Sequence, residues 1–156
     1  MYCHTYSHLY GLNITCLRFF TVYGPRGRPD MAPYKFTKLI SEGKAIEVFG
    51  DGKSKRDYTF ISDIVNGILA ASRKKHRYEI INLGNSKTVE LSYLISVIEK
   101  EVGRKALIER KPNQPGDVPL TYADVSKAKK LLGYKPKVGI EEGIRRLVEW
   151  YGKSGR

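Results

Sequence analysis

Three constellations in this sequence combine residue types that could do chemistry. Tyr34 and Lys38 stand four residues apart, with Thr21 thirteen positions upstream. A hydroxyl, a tyrosine and a lysine so arranged can form a proton-transfer set, the ammonium lowering the phenol pKa until the phenolate serves as base. Such a base needs a redox partner beside it, yet no GxGxxG follows any strand-like run upstream. Only 33 residues precede Tyr34, too few for a dinucleotide-binding βαβ unit of about 30 residues plus its acidic strand. The spacing reads as coincidence, and no catalytic residue is assigned. His4 and His8 lie at i, i+4 on a helix-like run, a spacing that can hold zinc. A third ligand and an intervening Glu are both lacking, so no metal site is assigned.

The third constellation is basic. Arg26, Arg28, Lys35, Lys53 and Arg56 gather around two glycine-bearing loops. Guanidinium forks suit phosphates and carboxylates, and glycines let backbone N–H groups approach the same anion. A solvated basic surface is the plainer alternative, because long charged side chains are mostly exposed. The 11 tyrosines add a third reading, a stacking platform for single-stranded nucleic acid. Most of them fall at strand or helix positions where packing accounts for them, so nucleic acid is not the expected partner.

The chain that must position these groups has 156 residues, 28 Lys and Arg, 16 Asp and Glu, and a formal charge of +12. That length suits one domain with a real core, and the charge favours anionic partners without choosing among them. No apolar run approaches the roughly 20 residues needed to cross a bilayer. Two cysteines without a CxxC argue against a disulfide framework and for a cytoplasmic setting.

Strand and helix signals alternate, which predicts an α/β chain of helices on a small sheet. Helices are predicted over 1–10, 32–42, 62–72, 91–102, 125–132 and 140–151. Strands are predicted over 14–20, 46–49, 78–83 and 106–109, with extended pieces over 53–60 and 117–122. Ile64, Ile68 and Leu69 mark the expected buried face of the third helix. Gly43 and Gly103 are expected to close the second and fourth.

Four ordered motifs then carry a resemblance over essentially the whole chain. They are the run from Leu17 to Ala32 (LRFFTVYGPRGRPDMA), Phe49 to Gly52 with Arg56 to Ile64 (FGDG and RDYTFISDI), Ile81 to Gly84 (INLG), and Gln114 to Asp124 (QPGDVPLTYAD) followed by LGYKP. Together they resemble the nucleotide-sugar epimerases and dehydratases of the extended short-chain dehydrogenase family, nearest the UDP-glucuronate 4-epimerase branch. The resemblance implies the C-terminal portion of that Rossmann-type fold, with the N-terminal NAD-binding half missing. Residues 1–22 would be a remnant of the Rossmann helix and strand, and residues 23–156 the nucleotide-sugar-binding domain.

The same resemblance assigns site residues one at a time. Phe20 matches the position touching the nicotinamide end of NAD. Thr21 faces the sugar and stands where the galactose branch has Asn. Arg28 and Lys35 reach toward nucleotide or sugar, Arg56 binds the diphosphate, and Asp117 accepts from the ribose hydroxyls. Gln114 replaces an arginine of the galactose branch. The implied substrate is a UDP-sugar, UDP-glucuronate or UDP-galacturonate, turned over by transient oxidation at C4 with NAD in the full-length enzyme. No cofactor and no activity are expected of this chain alone. A homodimer, or association through an uncovered N-terminal helix, is expected. A free-standing basic module for nucleotide sugars or nucleic acid is the alternative.

Overall fold

The computed structural model describes residues 1–154. Six helices alternate with eight short strands, and the α/β expectation holds. The helices are α1 (Tyr2–Tyr10), α2 (Ala32–Ser41), α3 (Ile61–Ser72), α4 (Leu91–Val102), α5 (Ser126–Leu132) and α6 (Ile140–Ser154). The strands are β1 (Ile14–Phe19), β2 (Thr21–Tyr23), β3 (Ala45–Phe49), β4 (Lys55–Arg56), β5 (Tyr58–Phe60), β6 (Tyr78–Leu83), β7 (Val89–Glu90) and β8 (Leu107–Lys111).

The strands form four two-stranded ladders in place of one small sheet. Pairs β1–β6, β2–β5 and β3–β8 are parallel, and β4–β7 is antiparallel. Two residues mark two of the breaks. At Phe20 the chain leaves β6, its N–H still donating to the Leu83 carbonyl at 3.1 Å. One residue later the Thr21 N–H donates to the Asp57 carbonyl at 3.1 Å, and Thr21 to Tyr23 run beside Tyr58 to Phe60. One extended run thus changes partners at the Phe20–Thr21 step. Asp57 makes the second division, separating β4 from β5 by turning its side chain into the protein.

Asp57 is fully buried. Its carboxylate accepts from the backbone N–H of Asn85 (2.8 Å), Ser86 (2.9 Å) and Ala123 (3.1 Å) and from the Thr59 hydroxyl (3.2 Å). A buried carboxylate is tolerated when donors replace its water, and here they come from three separate segments. Gly84 belongs to the same device: a Cβ there would lie 2.3 Å from the Ala123 Cβ and 3.0 Å from the Asp57 Oδ2. Asp63 works in the same way at the start of α3, accepting from the N–H groups of Lys137 (3.0 Å) and Val138 (2.9 Å).

Two apolar clusters fill the interior. The larger joins α2, β3, β5, α4 and α6 through Ile40, Ile46, Leu94, Ile98, Ile144 and Leu147. The smaller joins α3, β6 and α5 through Ile64, Ile81, Leu83, Val125 and Ala128. The periodicity of α4 is borne out, with Leu94, Ile95 and Ile98 buried and Gly103 at φ 73° closing the helix.

One face was expected wrongly. In α3 the buried residues are Asp63, Ile64, Gly67 and Ala71, whereas Ile68 and Leu69 are exposed. The cause is close packing at Gly67, where a Cβ would fall 2.7 Å from Leu83 and 3.1 Å from the Tyr134 ring. The small residues therefore face the core and the large ones face out.

Replacing Asp57 by Asn should destabilise the fold by at least about 3 kcal/mol, since two or more charge-assisted hydrogen bonds of about 1.5–3 kcal/mol each are lost. A thermal melt followed by circular dichroism should then show Tm lower by roughly 6–12 °C. An unchanged Tm would remove Asp57 from the centre of the fold.

Candidate functional site

The Arg56 guanidinium donates from one terminal nitrogen to the Asp117 carboxylate, and from the other to the Lys55 carbonyl at 3.0 Å. Neither Asp57 nor Asp63 is its partner, because both are consumed by backbone donors. The Arg56 side chain is only 19% exposed, against 46% for Asp117. A guanidinium held mostly out of water beside an accessible carboxylate gives up little further hydration on meeting an anion.

Local structure sets this pair. The turn Gly50–Asp51–Gly52 uses φ of 68° and 79° at its glycines, which suit residues without a Cβ. The Asp51 side chain closes it by accepting the Lys53 N–H at 2.9 Å. The chain then enters β4, which is held on one edge by β7 and on the other by the segment after Asp117. There Lys55 donates its N–H to the Pro119 carbonyl (2.8 Å) and accepts from the Thr121 N–H (3.0 Å). Arg56 and Asp117, 61 residues apart, are brought together by that pairing.

Beside the pair lies a cleft of about 330 Å³ whose lining includes Phe49, Lys53, Asn113, Gln114 and Asp117. In β3, Ile46 and Val48 point into the core, which leaves Glu47 and Phe49 on the opposite face. Lys35 of α2 reaches Glu47 at 3.7 Å, and neither residue lines the cleft. Thr21 pairs in register with Tyr58, two residues beyond Arg56, and Phe20 precedes it half-buried against the smaller core cluster. Burial pushes the Tyr58 hydroxyl up to about 12, although Arg56 pulls the other way, so this phenol stays protonated near neutral pH.

The expected site residues are therefore only partly assembled. Arg56 and Asp117 touch, and Gln114 lines the same cleft. Phe20 and Thr21 sit on the neighbouring ladder, and Lys35 is paired with Glu47 outside the cleft. Arg28 stands apart, bound to Asp30 at 2.6 Å with 70% of its side chain exposed. Tyr34 packs edge-on against Tyr151 and tilted against Trp150, so packing accounts for it. His4 stacks edge-on with Tyr78, and the described residues contain no metal-ligating cluster. Sequence reasoning missed the role of Asp57. The signal was an Asp inside a short strand flanked by Tyr, Thr and Phe, a setting in which a carboxylate must find donors.

A family model described as GDP-mannose 4,6 dehydratase matches residues 1–147. The chain is 50% identical over 148 residues to a UDP-glucuronate 4-epimerase of Thermodesulfobacterium geofontis, covering 94% of this chain and 46% of that one. It superimposes on UDP-glucuronic acid 4-epimerase from Bacillus cereus, solved with UDP-glucuronic acid and NAD, at a TM-score of 0.90 and 38% identity, covering 97% of this chain and 49% of that one. A UDP-glucose 4-epimerase of Thermotoga maritima, solved with UDP-glucose, gives a TM-score of 0.94 at 34% identity, covering 100% of this chain and 51% of that one. The chain spans about half the length of the curated relatives it matches. With a family match over nearly every residue and the same α/β arrangement in solved relatives, this chain belongs to the GDP-mannose 4,6 dehydratase family.

Proposed function

We propose that the chain is the substrate-gripping part of an NAD-dependent 4-epimerase acting on a UDP-sugar, with UDP-glucuronate its substrate. The observation that carries this reading is the mostly buried Arg56 paired with the more exposed Asp117 beside a cleft of nucleotide-accepting chemistry. In the proposed complex Arg56 takes the diphosphate through a bidentate contact, and Asp117 turns to accept from the ribose hydroxyls. Lys53 and Gln114 line the path of the phosphates, and Thr21 faces the sugar. The proposal leaves Arg28 and Lys35 as outer contacts with nucleotide or sugar. A cytoplasmic setting belongs to the same proposal; among the described residues no helix is long and apolar enough to cross a membrane.

The residues present fit only one edge of NAD. Phe20 follows the carboxyl end of β1, and ligands of open α/β sheets sit outside the carboxyl ends of the strands. When bound, NAD supplies the redox chemistry at C4 of the sugar. This chain supplies grip, orientation and room for the sugar to turn.

Residues 1–22 serve, in this reading, as the edge of a larger Rossmann-type unit, and residues 23–156 as the nucleotide-sugar-binding part. Support comes from the apolar side chains left uncovered there: Tyr2, Tyr6, Leu9, Tyr10, Phe19 and Ile80 are all exposed. The β1–β6 ladder returns residues 78–83 to the first unit, so the division is not a single cut along the sequence.

Three outcomes test these statements. Calorimetry should show UDP affinity falling roughly ten- to a hundredfold in Arg56→Ala, with partial recovery in Arg56→Lys and little change in Tm. A lowered Tm with affinity unmoved would make Arg56–Asp117 a structural pair only. Incubated with NAD and UDP-glucuronate, the 156-residue chain should form no UDP-galacturonate; turnover above that of Tyr34→Phe would reinstate the tyrosine–lysine set. Light scattering at high concentration should show self-association that weakens in Tyr6→Lys, whereas a clean monomer would count against an uncovered α1.

A further inference from the structure

A larger cleft lies elsewhere, with a volume of about 900 Å³. Lys55 lines it, and Lys55 is the residue before Arg56 in β4. Successive strand residues point to opposite faces, so this cleft lies behind the strand that presents Arg56. Its lining holds five lysines, Lys55, Lys87, Lys129, Lys135 and Lys137, against two glutamates.

None of the five lysines is paired with a carboxylate among the described residues. Both glutamates are already engaged by hydroxyls: Glu141 accepts from Tyr93 at 2.6 Å, and Glu90 from Ser92. Lys55 and Glu90 are register partners across β4 and β7 and still form no ion pair. Some basic groups elsewhere do have an acidic neighbour, among them Arg28, Lys35, Lys44, Lys53, Lys105 and Lys111.

The walls of the cleft are fixed. One wall, Asn85 to Thr88, is pinned by Asp57 through the Asn85 and Ser86 N–H groups. Ser86 is held there at φ 60°, a conformation that an L-residue adopts at some cost. The other wall, Lys135 to Gly139, is pinned by Asp63 through the N–H groups of Lys137 and Val138. Asn85 bridges the two, donating its side-chain amide to the Val138 carbonyl at 3.3 Å. The lysines have no ion-pair partner among the described residues, although Lys87 helps hold the Glu141 carboxyl below the usual range and Lys129 that of Asp124. On pinned backbone only their side chains must adjust when an anion enters.

We propose that this cleft is a second anion site, separate from the Arg56 cleft, that takes a small polyphosphate-bearing molecule. Lysine ammonium groups act as mobile point charges and suit several phosphate oxygens better than one planar carboxylate. The volume falls within the 300–1,000 Å³ range usual for small-molecule sites.

The test uses the whole 156-residue chain carrying Arg56→Ala, so that the first cleft is silent, titrated with inorganic pyrophosphate and followed by amide NMR shifts. Saturable binding is expected, with shifts gathered at residues 85–88 and 135–139. Adding Lys87→Gln and Lys137→Gln, both at exposed positions, should weaken it by about tenfold or more. Glucuronate, a single carboxylate, should bind at least about tenfold more weakly than pyrophosphate. The proposal is overturned by absence of saturation, by shifts gathered outside the two walls, by affinity unchanged in the lysine variants, or by glucuronate binding as tightly.

Discussion

The carboxylate of Asp57 is the constraint on which the other arrangements rest. Four donors from β5, from the turn after β6 and from the segment before α5 converge on its two oxygens. An ionised group in such a place is stable only while those donors stay, and each donor fixes a stretch of backbone. The requirement propagates in both directions along the chain. Upstream it sets the direction of Arg56; downstream the Asp57 carbonyl receives the Thr21 N–H and forces the change of partner at Phe20. The positions where ligand chemistry concentrates are thus next to the least negotiable polar contact in the interior.

Arg56 and Asp117 show how such a frame can be used. The Asp117 carboxylate is 46% exposed, so water screens the pair on that side and limits what it adds to folding. Its larger effect is to hold a guanidinium oriented and partly dehydrated at the edge of a cleft. An incoming diphosphate would exchange one acceptor for another, and the released carboxylate would find hydroxyl donors nearby. Under the proposed function the pair would be a placeholder for the diphosphate and the ribose of a nucleotide.

Much of this was legible from the residues. Helix periods placed α4 and α6 correctly because their apolar spacing is regular and their partners are large side chains. In α3 the same rule failed, since a helix can approach its neighbour most closely through Gly67 and Ala71, leaving Ile68 and Leu69 outside. Arginine type and glycine-bearing loops marked Arg56, whereas Asp117 was marked only by the family resemblance. That they touch depends on the backbone pairing of Lys55 with Pro119 to Thr121, a long-range event that local sequence does not encode. Arg28 was equally well marked by type, yet Asp30, two residues on, captures it. Two breaks in the expected sheet fall at single residues, Phe20 and Asp57, whose roles emerge only in three dimensions.

The most direct measurement is a crystal structure of the chain soaked with UDP. The expected result is the diphosphate within hydrogen-bond distance of the Arg56 guanidinium, with the Asp117 carboxylate turned away from Arg56 and onto the ribose hydroxyls. An intact Arg56–Asp117 pair with UDP bound elsewhere would contradict the proposed site.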